Sequence, residues 1–424
     1  MLRPPARWRG HDCRLWVAVL NGPDDGRVRV LYSFPYKLGA ERISYTAWQQ
    51  VNGLAAAGAK LIVFPGAVYR PVPPDVQVGP TLARGPLRVP YRLLGKLRAL
   101  TIHDHIVAHR LEKMADQIDI VHAWPSAALQ TLRVASRLGI PSVLERPNAH
   151  TRFGYEVVQR ECARLGISLP AGHEHAYNPT VLRKEETEFQ TAYRLLCPSD
   201  FVVQTFLEQG FDPERLVRHT YGYDPKTYYP TSGPNSGSEL TVLFVGVCAV
   251  RKGLHFALEA WLRSPASLGG TFLIAGAFLR AYQEKLTPQL SHPSVHVLGH
   301  RKDVPELMRR SDVLVLPSIE EGFGLVCAEA MGSGCVPLVS EACTDTCKHM
   351  QNALVHPVGD VDMLTRHITA IHEDRGLLDK LRTASLKTAT EITWTVAGRK
   401  LLEAYRSVVA AHRIDSLRFD PLAN

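Results

Sequence analysis

The stretch DVLVLPSIEEGFGLVCAEAMGSGCVPLVS, residues 312–340, changes its pattern three times over a short distance. DVLVLPS is an apolar run typical of a buried strand, IEEGFG contains the glycines of a tight turn, LVCAEAMGSG has the composition of a helix, and CVPLVS is a second apolar run. Two apolar strands joined through a helix are typical of a parallel sheet covered on both faces. The segment therefore predicts an α/β fold.

Strand-like and helix-like segments alternate in the same way through both halves of the chain. The predicted strands include RVRVLYS, KLIVFPG, IDIVHAW and IPSVLE in the first half, and LTVLFVG, TFLIAG, SVHVLG, DVLVLPS and CVPLVS in the second. Such alternation predicts doubly wound parallel sheets, whose ligands bind at the carboxyl ends of the strands. We expect two Rossmann-like domains that face each other across a cleft.

The domain boundary is predicted from a stretch without apolar periodicity, DPKTYYPTSGPNSGSE at residues 224–239. We expect an N-terminal extension at 1–26, a first domain at 27–222, a linker at 223–240 and a second domain at 241–424, whose last helix packs back on the first domain. A chain of 424 residues is long enough for two such domains.

Composition indicates a soluble globular protein, with 45% hydrophobic and 21% charged residues and no apolar run long enough for a membrane helix or a signal peptide. Eight cysteines in mostly apolar surroundings indicate reduced thiols and a cytoplasmic location. The formal net charge is +8, and the excess lies in residues 1–220. We therefore expect the first domain to meet the more acidic partner.

Two glutamates flank the glycine turn of the opening stretch. A helix that begins after Gly322, Phe323, Gly324 and Leu325 offers free backbone N–H groups to a diphosphate, while Glu321 on the turn and Glu329 on the helix can accept hydrogen bonds from sugar and ribose hydroxyls. The alternative is a solvated turn and a surface helix position. Apolar neighbours around Glu329 argue against it, because an unpaired carboxylate is costly there.

Two adjacent cations occupy a similar place upstream, in LFVGVCAVRKGLHFALEAW, residues 243–261. Gly246 follows the strand, and Arg251 and Lys252 precede the next helix, where positive charge opposes the helix dipole. Binding of a departing diphosphate explains them, although an exposed basic turn is the simpler alternative.

These residues resemble glycosyltransferase family 4, retaining enzymes of the GT-B architecture. FVG, RKG, GHRKDVPELMRRSDVLVLPS, EEGFGLVCAEAMGSGCVPLVS and NALVHPVGD follow the family's order over residues 242–360, and the first half matches more loosely through LGAER, IDIVHAW, AHT and YGYDPKTYYP. The resemblance implies a metal-independent transferase that moves a sugar from a nucleotide-diphosphate sugar to an acceptor hydroxyl. It implies that the donor phosphate helps to deprotonate the acceptor.

The resemblance also assigns residues. Glu321 and Glu329 are similar to the family's E-x7-E pair, Lys252 to the cation on the diphosphate, Gly39 to part of a glycine loop below the donor phosphates, and His150 to a histidine near the reacting sugar.

The sequence departs from the family's pattern at four positions. These are Val247 where arginine is frequent, Leu38 in place of the first loop glycine, Asp345 where glutamate is common and Ala353 where glycine is common.

Other candidate sites have simpler explanations. Asp360 and Asp362 form a DxD pattern, but they follow Gly359 at a helix start, where capping explains them better than a metal. His103, Asp104 and His105 fit an exposed or half-buried basic helix better than a metal or catalytic site, and the CxxxC of Cys343 and Cys347 lacks a second ligand pair.

Arg88, Arg92 and Lys96 recur every four residues beside leucines. This pattern predicts an amphipathic helix with a solvated face, or one that contacts an anionic membrane or a phosphorylated acceptor.

The expected partners are a nucleotide sugar and a carbohydrate, lipid-linked or small-molecule acceptor, with acceptor contacts in the loops at 66–110 and 151–180. No cofactor and no nucleic-acid partner is expected. Two other functions fit the same architecture: a nucleotide-sugar epimerase, and a nucleotide- or glycan-binding protein without turnover.

Overall fold

The computed structural model describes residues 26–84, 87–88, 95–231 and 239–418. Its described strands form two separate parallel sheets and one short antiparallel hairpin. The prediction of an α/β protein with two Rossmann-like sheets is thereby confirmed. The predicted N-terminal extension, residues 1–26, lies outside the described residues except for Gly26.

The first sheet has seven parallel strands in the order β3-β2-β1-β6-β7-β8-β9. The strands of this sheet are β1 (Arg29–Leu38), β2 (Lys60–Val68), β3 (Gln77–Val78), β6 (Ile120–Ala123), β7 (Ser142–Glu145), β8 (Arg194–Cys197) and β9 (Leu216–Arg218). The separate hairpin consists of β4 (Ala83–Arg84) and β5 (Leu87–Arg88). The helices of this half are α1 (Ile43–Ala56), α2 (Lys96–Lys113), α3 (Leu129–Arg137), α4 (Thr151–Leu165), α5 (Pro179–Thr191) and α6 (Asp200–Leu207).

The second sheet has six parallel strands in the order β12-β11-β10-β13-β14-β15. They are β10 (Thr241–Val245), β11 (Thr271–Ala275), β12 (Val295–Gly299), β13 (Val313–Leu316), β14 (Val336–Ser340) and β15 (Leu354–His356). The helices are α7 (Leu254–Arg263), α8 (Arg280–Leu290), α9 (Val304–Arg310), α10 (Leu325–Gly332), α11 (Val361–Glu373), α12 (Arg375–Ala389) and α13 (Trp394–Arg418).

The central strands are buried on both faces, which is why their sequences are continuous apolar runs. Every residue of β13 and β14 is buried, and helices cover both sides of the sheet. Helix starts follow the capping rules: Asn178 and Ser199 each accept hydrogen bonds from backbone N–H groups of the helix that follows.

The last helix, α13, returns to the first half and packs against α1. Gly53 and Gly398 make this possible, because a Cβ built on Gly398 would lie 2.4 Å from the carbonyl carbon of Gly53. Tyr223 and Thr393 form an isolated bridge where the chain crosses between the halves. The helix α13 and this bridge therefore join the two halves in addition to the linker.

The predicted helix around Arg88 and Lys96 is partly wrong. Helix α2 begins at Lys96, whereas Arg88 belongs to strand β5, and Arg92 lies outside the described residues. None of the helices described here is both long and apolar enough to cross a membrane.

The histidines of α2 also differ from expectation. His103 and Asp104 are buried rather than exposed: His103 lies between the hydroxyls of Ser33 and Thr81, and Asp104 caps α3 by accepting from the N–H groups of Gln130 and Thr131. Both side chains serve packing within the first half.

Candidate functional site

The glycine turn after β13 faces the first half of the chain. Gly322 lies against the loop after β7, since a Cβ built on it would be 1.7 Å from the carbonyl oxygen of Pro147. Gly324 has φ 63°, a conformation that favours glycine, and α10 begins directly after it. The ring of Phe323 packs edge-on against Tyr221 at 5.5 Å. The turn therefore brings the N-terminus of α10 to the boundary between the two sheets.

The cations of the second motif lie beside this turn. A Cβ on Gly253 would be 1.9 Å from the carbonyl oxygen of Pro317, so only glycine allows the two loops to approach so closely. Lys252 Nζ forms an ion pair with Glu321 Oε2, and Arg251 Nη1 lies 3.4 Å from the same oxygen. The structure thus brings together Arg251, Lys252 and Glu321, which the sequence places about 70 positions apart.

Electrostatics keep Glu321 ionised although it is buried. Burial alone raises the pKa of a carboxyl group, but Lys252 and Arg251 outweigh burial and lower the pKa of Glu321 below its usual value. A buried carboxylate between two cations is fixed in position, and it can accept hydrogen bonds from a hydroxylated ligand.

The neighbouring Glu320 shares Arg251 with Glu321 and has a second partner, His175. Its Oε1 receives a hydrogen bond from His175 Nε2 at 2.9 Å and lies 3.2 Å from Arg251 Nη1. Despite burial, Arg251 and His175 lower the pKa of Glu320 to about 2. Sequence reasoning missed both Glu320 and His175. The available signal was a second carboxyl group, Glu320, directly before Glu321 in the same turn.

Glu329 lies on α10 in a less polar setting. Burial raises its pKa to about 7, against a hydrogen bond from the Tyr228 hydroxyl that lowers it. Tyr45 of α1 lies close enough for the Glu329 charge to raise the tyrosine pKa. The second glutamate of the pair therefore lies next to the N-terminal part of α1, and it changes charge near neutral pH.

The predicted loop glycines occupy the ends of the first strand in each sheet. Gly39 follows β1 with φ 85°, and its carbonyl accepts a hydrogen bond from Arg70. Gly246 follows β10 with φ 149°, and a Cβ on it would be 3.9 Å from Lys252 Cε. Val247 follows Gly246, and its apolar side chain is 42% exposed at the position where the sequence pattern led us to look for an arginine.

The expected placement of His150 at the cleft needs correction. Its Nδ1 accepts a hydrogen bond from the Arg152 N–H at the start of α4, and its ring packs among Phe189, Phe206 and Phe211. Burial and the nearby Arg146 and Arg152 lower its pKa to about 3. The ring is a neutral cap inside a phenylalanine cluster.

A cavity of about 230 Å³ lies between the two halves, beside Glu320. Its described lining consists of Tyr36, Ile43, Trp124, Pro125, Ser126, Arg146, Pro147, Asn148, Ala149, Thr151, Gly154, Tyr155, Glu174, His175, Val181, Glu185 and Glu320. Of the two regions predicted to contact the acceptor, 151–180 contributes residues of α4 and of the following loop to this lining, whereas no described residue of 66–110 does.

Polar contacts hold the two halves together around the cavity. His255 of α7 contacts Glu161 of α4 at 2.8 Å, and Arg218 of β9 pairs with Asp345 at 2.7 Å. Asp345, one of the four departures from the family pattern, therefore links the two halves through an ion pair.

The remaining candidates lie away from this cluster. Asp360 caps α11 by accepting from the Met363 N–H at 2.8 Å, as the sequence indicated, and Asp362 pairs with Arg263. The cysteines at 162, 197, 248, 327, 335, 343 and 347 are unpaired and buried.

Two Rossmann-like units that enclose a polar site at their strand ends define the GT-B class. Residues 239–374 match the sequence model of the family described as Glycosyl transferases group 1. This part of the chain is therefore similar to that family, and the fold of the whole chain is of the GT-B type.

Two curated relatives illustrate the range of similarity. N,N'-diacetylbacillosaminyl-diphospho-undecaprenol alpha-1,3-N-acetylgalactosaminyltransferase of Campylobacter jejuni is 29% identical over 122 residues, 28% of this chain and 32% of that protein. D-inositol 3-phosphate glycosyltransferase of Salinispora arenicola is 25% identical over 401 residues, 85% of each chain. The chain spans less than half of the length of the Campylobacter protein and of three further curated relatives.

A solved structure has the same fold over most of the chain. Anabaena Alr3699/HepE in complex with UDP superposes with a TM-score of 0.63 at 17% identity, covering 90% of this chain and 100% of that one. At that level of identity the similarity concerns the fold.

Proposed function

We propose that the protein is a retaining glycosyltransferase that uses a nucleotide-diphosphate sugar as donor and a hydroxyl group as acceptor. The observation that carries the proposal is the buried cluster of Lys252, Arg251 and Glu321 beside the N-terminus of α10. Positive side chains and free backbone N–H groups at one point suit a diphosphate, and an ionised carboxylate beside them suits sugar hydroxyls. The relatives' names and the UDP complex of a protein with the same fold support this chemistry.

Each residue of the cluster has a role in the proposed reaction. Lys252 and Arg251 stabilise the negative charge that develops on the leaving diphosphate, and the turn at Gly322, Phe323, Gly324 and Leu325 offers its N–H groups to the same oxygens. Glu321 holds the donor sugar. Catalysis by charge stabilisation and positioning requires no metal ion and no resident cofactor.

The nucleoside would lie along α10 toward Glu329. An ionised Glu329 accepts hydrogen bonds from both ribose hydroxyls, while Gly39 and Gly246 leave room for the phosphates at the ends of β1 and β10. His150 acts only indirectly in this scheme, because its cap fixes the start of α4, whose residues Thr151, Gly154 and Tyr155 line the cavity.

In the proposed step the bond between the anomeric carbon and the diphosphate oxygen breaks, and its electron pair leaves with the diphosphate. The acceptor oxygen bonds to the same face of the anomeric carbon, and its proton passes to the departing phosphate. Configuration is retained. We place the reaction in the cytoplasm, with a carbohydrate, lipid-linked or small-molecule acceptor and a peripheral position at an anionic membrane face.

The test is incubation of the full chain with individual UDP-, GDP- and ADP-sugars, with and without candidate acceptors, followed by detection of free nucleoside diphosphate and NMR of the product. Release that depends on an acceptor, with an unchanged anomeric configuration, is the expected result. An inverted product contradicts the retaining mechanism. Interconversion of the donor sugar identifies an epimerase, and binding without any product identifies a protein without turnover.

A further inference from the structure

The cavity between the two halves is rich in carboxylates. Among its described lining residues, Glu174, Glu185 and Glu320 are acidic, and the cationic candidates are Arg146 and His175. Glu320 and Glu185 are buried or nearly so, whereas the Glu174 side chain is 74% exposed at the rim. A ligand that enters therefore meets carboxylates at the rim and on the walls, of which Glu320 is paired with Arg251 from outside the lining.

Arg146 offers little positive charge to such a ligand. Its guanidinium lies 4.0 Å from Glu185 and 4.1 Å above the ring of Phe189. The charges of Glu185, Glu188 and Glu145 all act on it, although burial lowers its pKa. Glu188, whose own pKa is raised to about 7 by burial, accepts from the N–H groups of Ser126 and Ala128 directly behind the cavity wall.

His175 also has carboxylate neighbours. Its Nε2 donates to Glu320 at 2.9 Å, and Glu174 Oε1 lies 3.7 Å from its Nδ1. Each cationic group of the described lining thus already has a carboxylate partner within 4.0 Å. An added phosphate would compete with these carboxylates, since three carboxylates face two cationic groups in the described lining. At the proposed donor site, by contrast, two cations share Glu321 beside a helix N-terminus.

The rest of the lining suits a hydroxylated ring. Trp124, Tyr36 and Tyr155 offer ring faces, and the Asn148 amide offers a group that both donates and accepts hydrogen bonds. The hydroxyls of Ser126 and Thr151 donate to Glu185, and their oxygens can accept from a ligand. Two buried nitrogens of the described lining, Arg146 Nε and His175 Nδ1, have no hydrogen-bond partner. Buried polar atoms without partners are costly, and a ligand hydroxyl or an ordered water satisfies them.

We infer that the cavity receives a hydroxylated ring without a phosphate or carboxylate group, and that a protonated amine on the ring strengthens binding. The identification of this ring as the acceptor rests on the proposed function. The excess positive charge of the first half led us to expect an acidic partner. The described lining of the cavity instead has three carboxylates and two cationic groups, so we infer a partner without negative charge.

The test uses one ring with three charges: glucosamine, glucose and glucose 6-phosphate. Binding of each to the full chain with saturating UDP is measured by saturation-transfer NMR. We expect glucosamine to bind at least as tightly as glucose, and glucose 6-phosphate to bind about tenfold more weakly, because one like-charge contact near a protein surface has that order of effect.

A pair of charge-reversal variants locates the effect. Glu174→Lys, at the exposed rim, should shift the ratio of glucose 6-phosphate to glucose affinity about tenfold toward the phosphate. Glu156→Lys makes the same change at an exposed position of α4 that does not line the cavity, and it should leave the ratio unchanged.

Three outcomes overturn the inference: glucose 6-phosphate binding as tightly as glucose, no binding of any of the three rings, or equal effects of Glu174→Lys and Glu156→Lys. The proposed function fails separately. If no nucleotide sugar supports transfer but the three rings bind in the expected order, the cavity chemistry stands and the transferase proposal does not.

Discussion

Glu320 and Glu321 are adjacent in sequence, share the partner Arg251 and differ in their second partner. Glu321 is paired with Lys252 where we place the donor diphosphate, whereas Glu320 contacts His175 on the wall of the cavity. Arg251 lies within 3.4 Å of an oxygen of each carboxylate. A single arginine thus connects the proposed donor site electrostatically with the proposed acceptor site.

Removal of the Lys252 charge tests the donor site at residue scale. Lys252→Ala should lower kcat by roughly 10²–10³-fold, the usual effect of losing one group that stabilises transition-state charge. The readout is release of nucleoside diphosphate, with the thermal midpoint as a measure of folding. Lys302→Ala, an exposed position, is the matched control. Wild-type turnover in Lys252→Ala would contradict the assigned role.

The raised pKa of Glu329 leads us to expect that the affinity for nucleotide depends on pH. Because burial raises its pKa to about 7, the carboxylate is mostly protonated at pH 6 and mostly ionised at pH 8. Only the ionised form accepts hydrogen bonds from both ribose hydroxyls, so UDP affinity should rise between these pH values. Calorimetry on the wild type and on Glu329→Gln separates this effect from titration of UDP itself. Identical pH dependence in the two proteins would exclude the ribose contact.

At the scale of elements, the turn between β13 and α10 depends on close approach of backbone. Gly322→Ala places a methyl group 1.7 Å from the Pro147 carbonyl oxygen, so the turn must move away from the β7 loop. We expect at least a tenfold loss of transfer, because an ångström-scale displacement of reacting groups is sufficient for that. Circular dichroism should remain unchanged. Normal transfer would show that the contact between the turn and this loop is dispensable.

Two buried histidines of β15 and α11 should make the protein less stable in acid. Burial and the nearby His367 lower the pKa of His356 to about 3, and burial, His349 and Arg366 lower that of His367 to about 4. Both remain neutral when folded, whereas in the unfolded chain they bind protons below about pH 6.5. The free energy of unfolding should therefore fall as pH decreases from about 6.5 toward 4.

Urea titrations at several pH values measure this slope, and His367→Gln should reduce it. An unchanged slope in His367→Gln would assign the acid sensitivity to other groups, for example His103, whose pKa burial lowers to about 3.

At the scale of the whole molecule, helix α13 connects the end of the chain to the first sheet. Gly398→Val inserts a branched side chain where a Cβ alone would lie 2.4 Å from the backbone of Gly53. We expect a destabilisation of roughly 1–3 kcal/mol, as for other overpacked contacts, and a lower thermal midpoint. Arg399→Val, exposed on the same helix, is the control. Equal midpoints would mean that α13 does not hold the halves together.

Much of the architecture was predictable because its causes are local. The apolar runs of β13 and β14 and the glycines between them indicated a parallel α/β unit, and the capping role of Asp360 was visible from its place before a helix. The same holds for the positions of Glu321 and Lys252, since each lies between a strand and a helix.

Long-range contacts were not predictable in this way. The sequence placed His150 at the cleft, but a hydrogen bond to the helix start and three phenylalanines from distant segments hold its ring inside the first half. The partners of Glu320 and of Asp345, His175 and Arg218, come from the other half of the chain.

By itself, the sequence determined the two parallel sheets and the position of the glycine turn, because side-chain periodicity and glycine conformation act over a few residues. Only the tertiary structure decided which charges neutralise one another and which side chains line the cavity. These properties depend on distances between segments far apart in the chain, and so the carboxylates of the cavity lining could not be inferred from the net charge of the half that forms most of it.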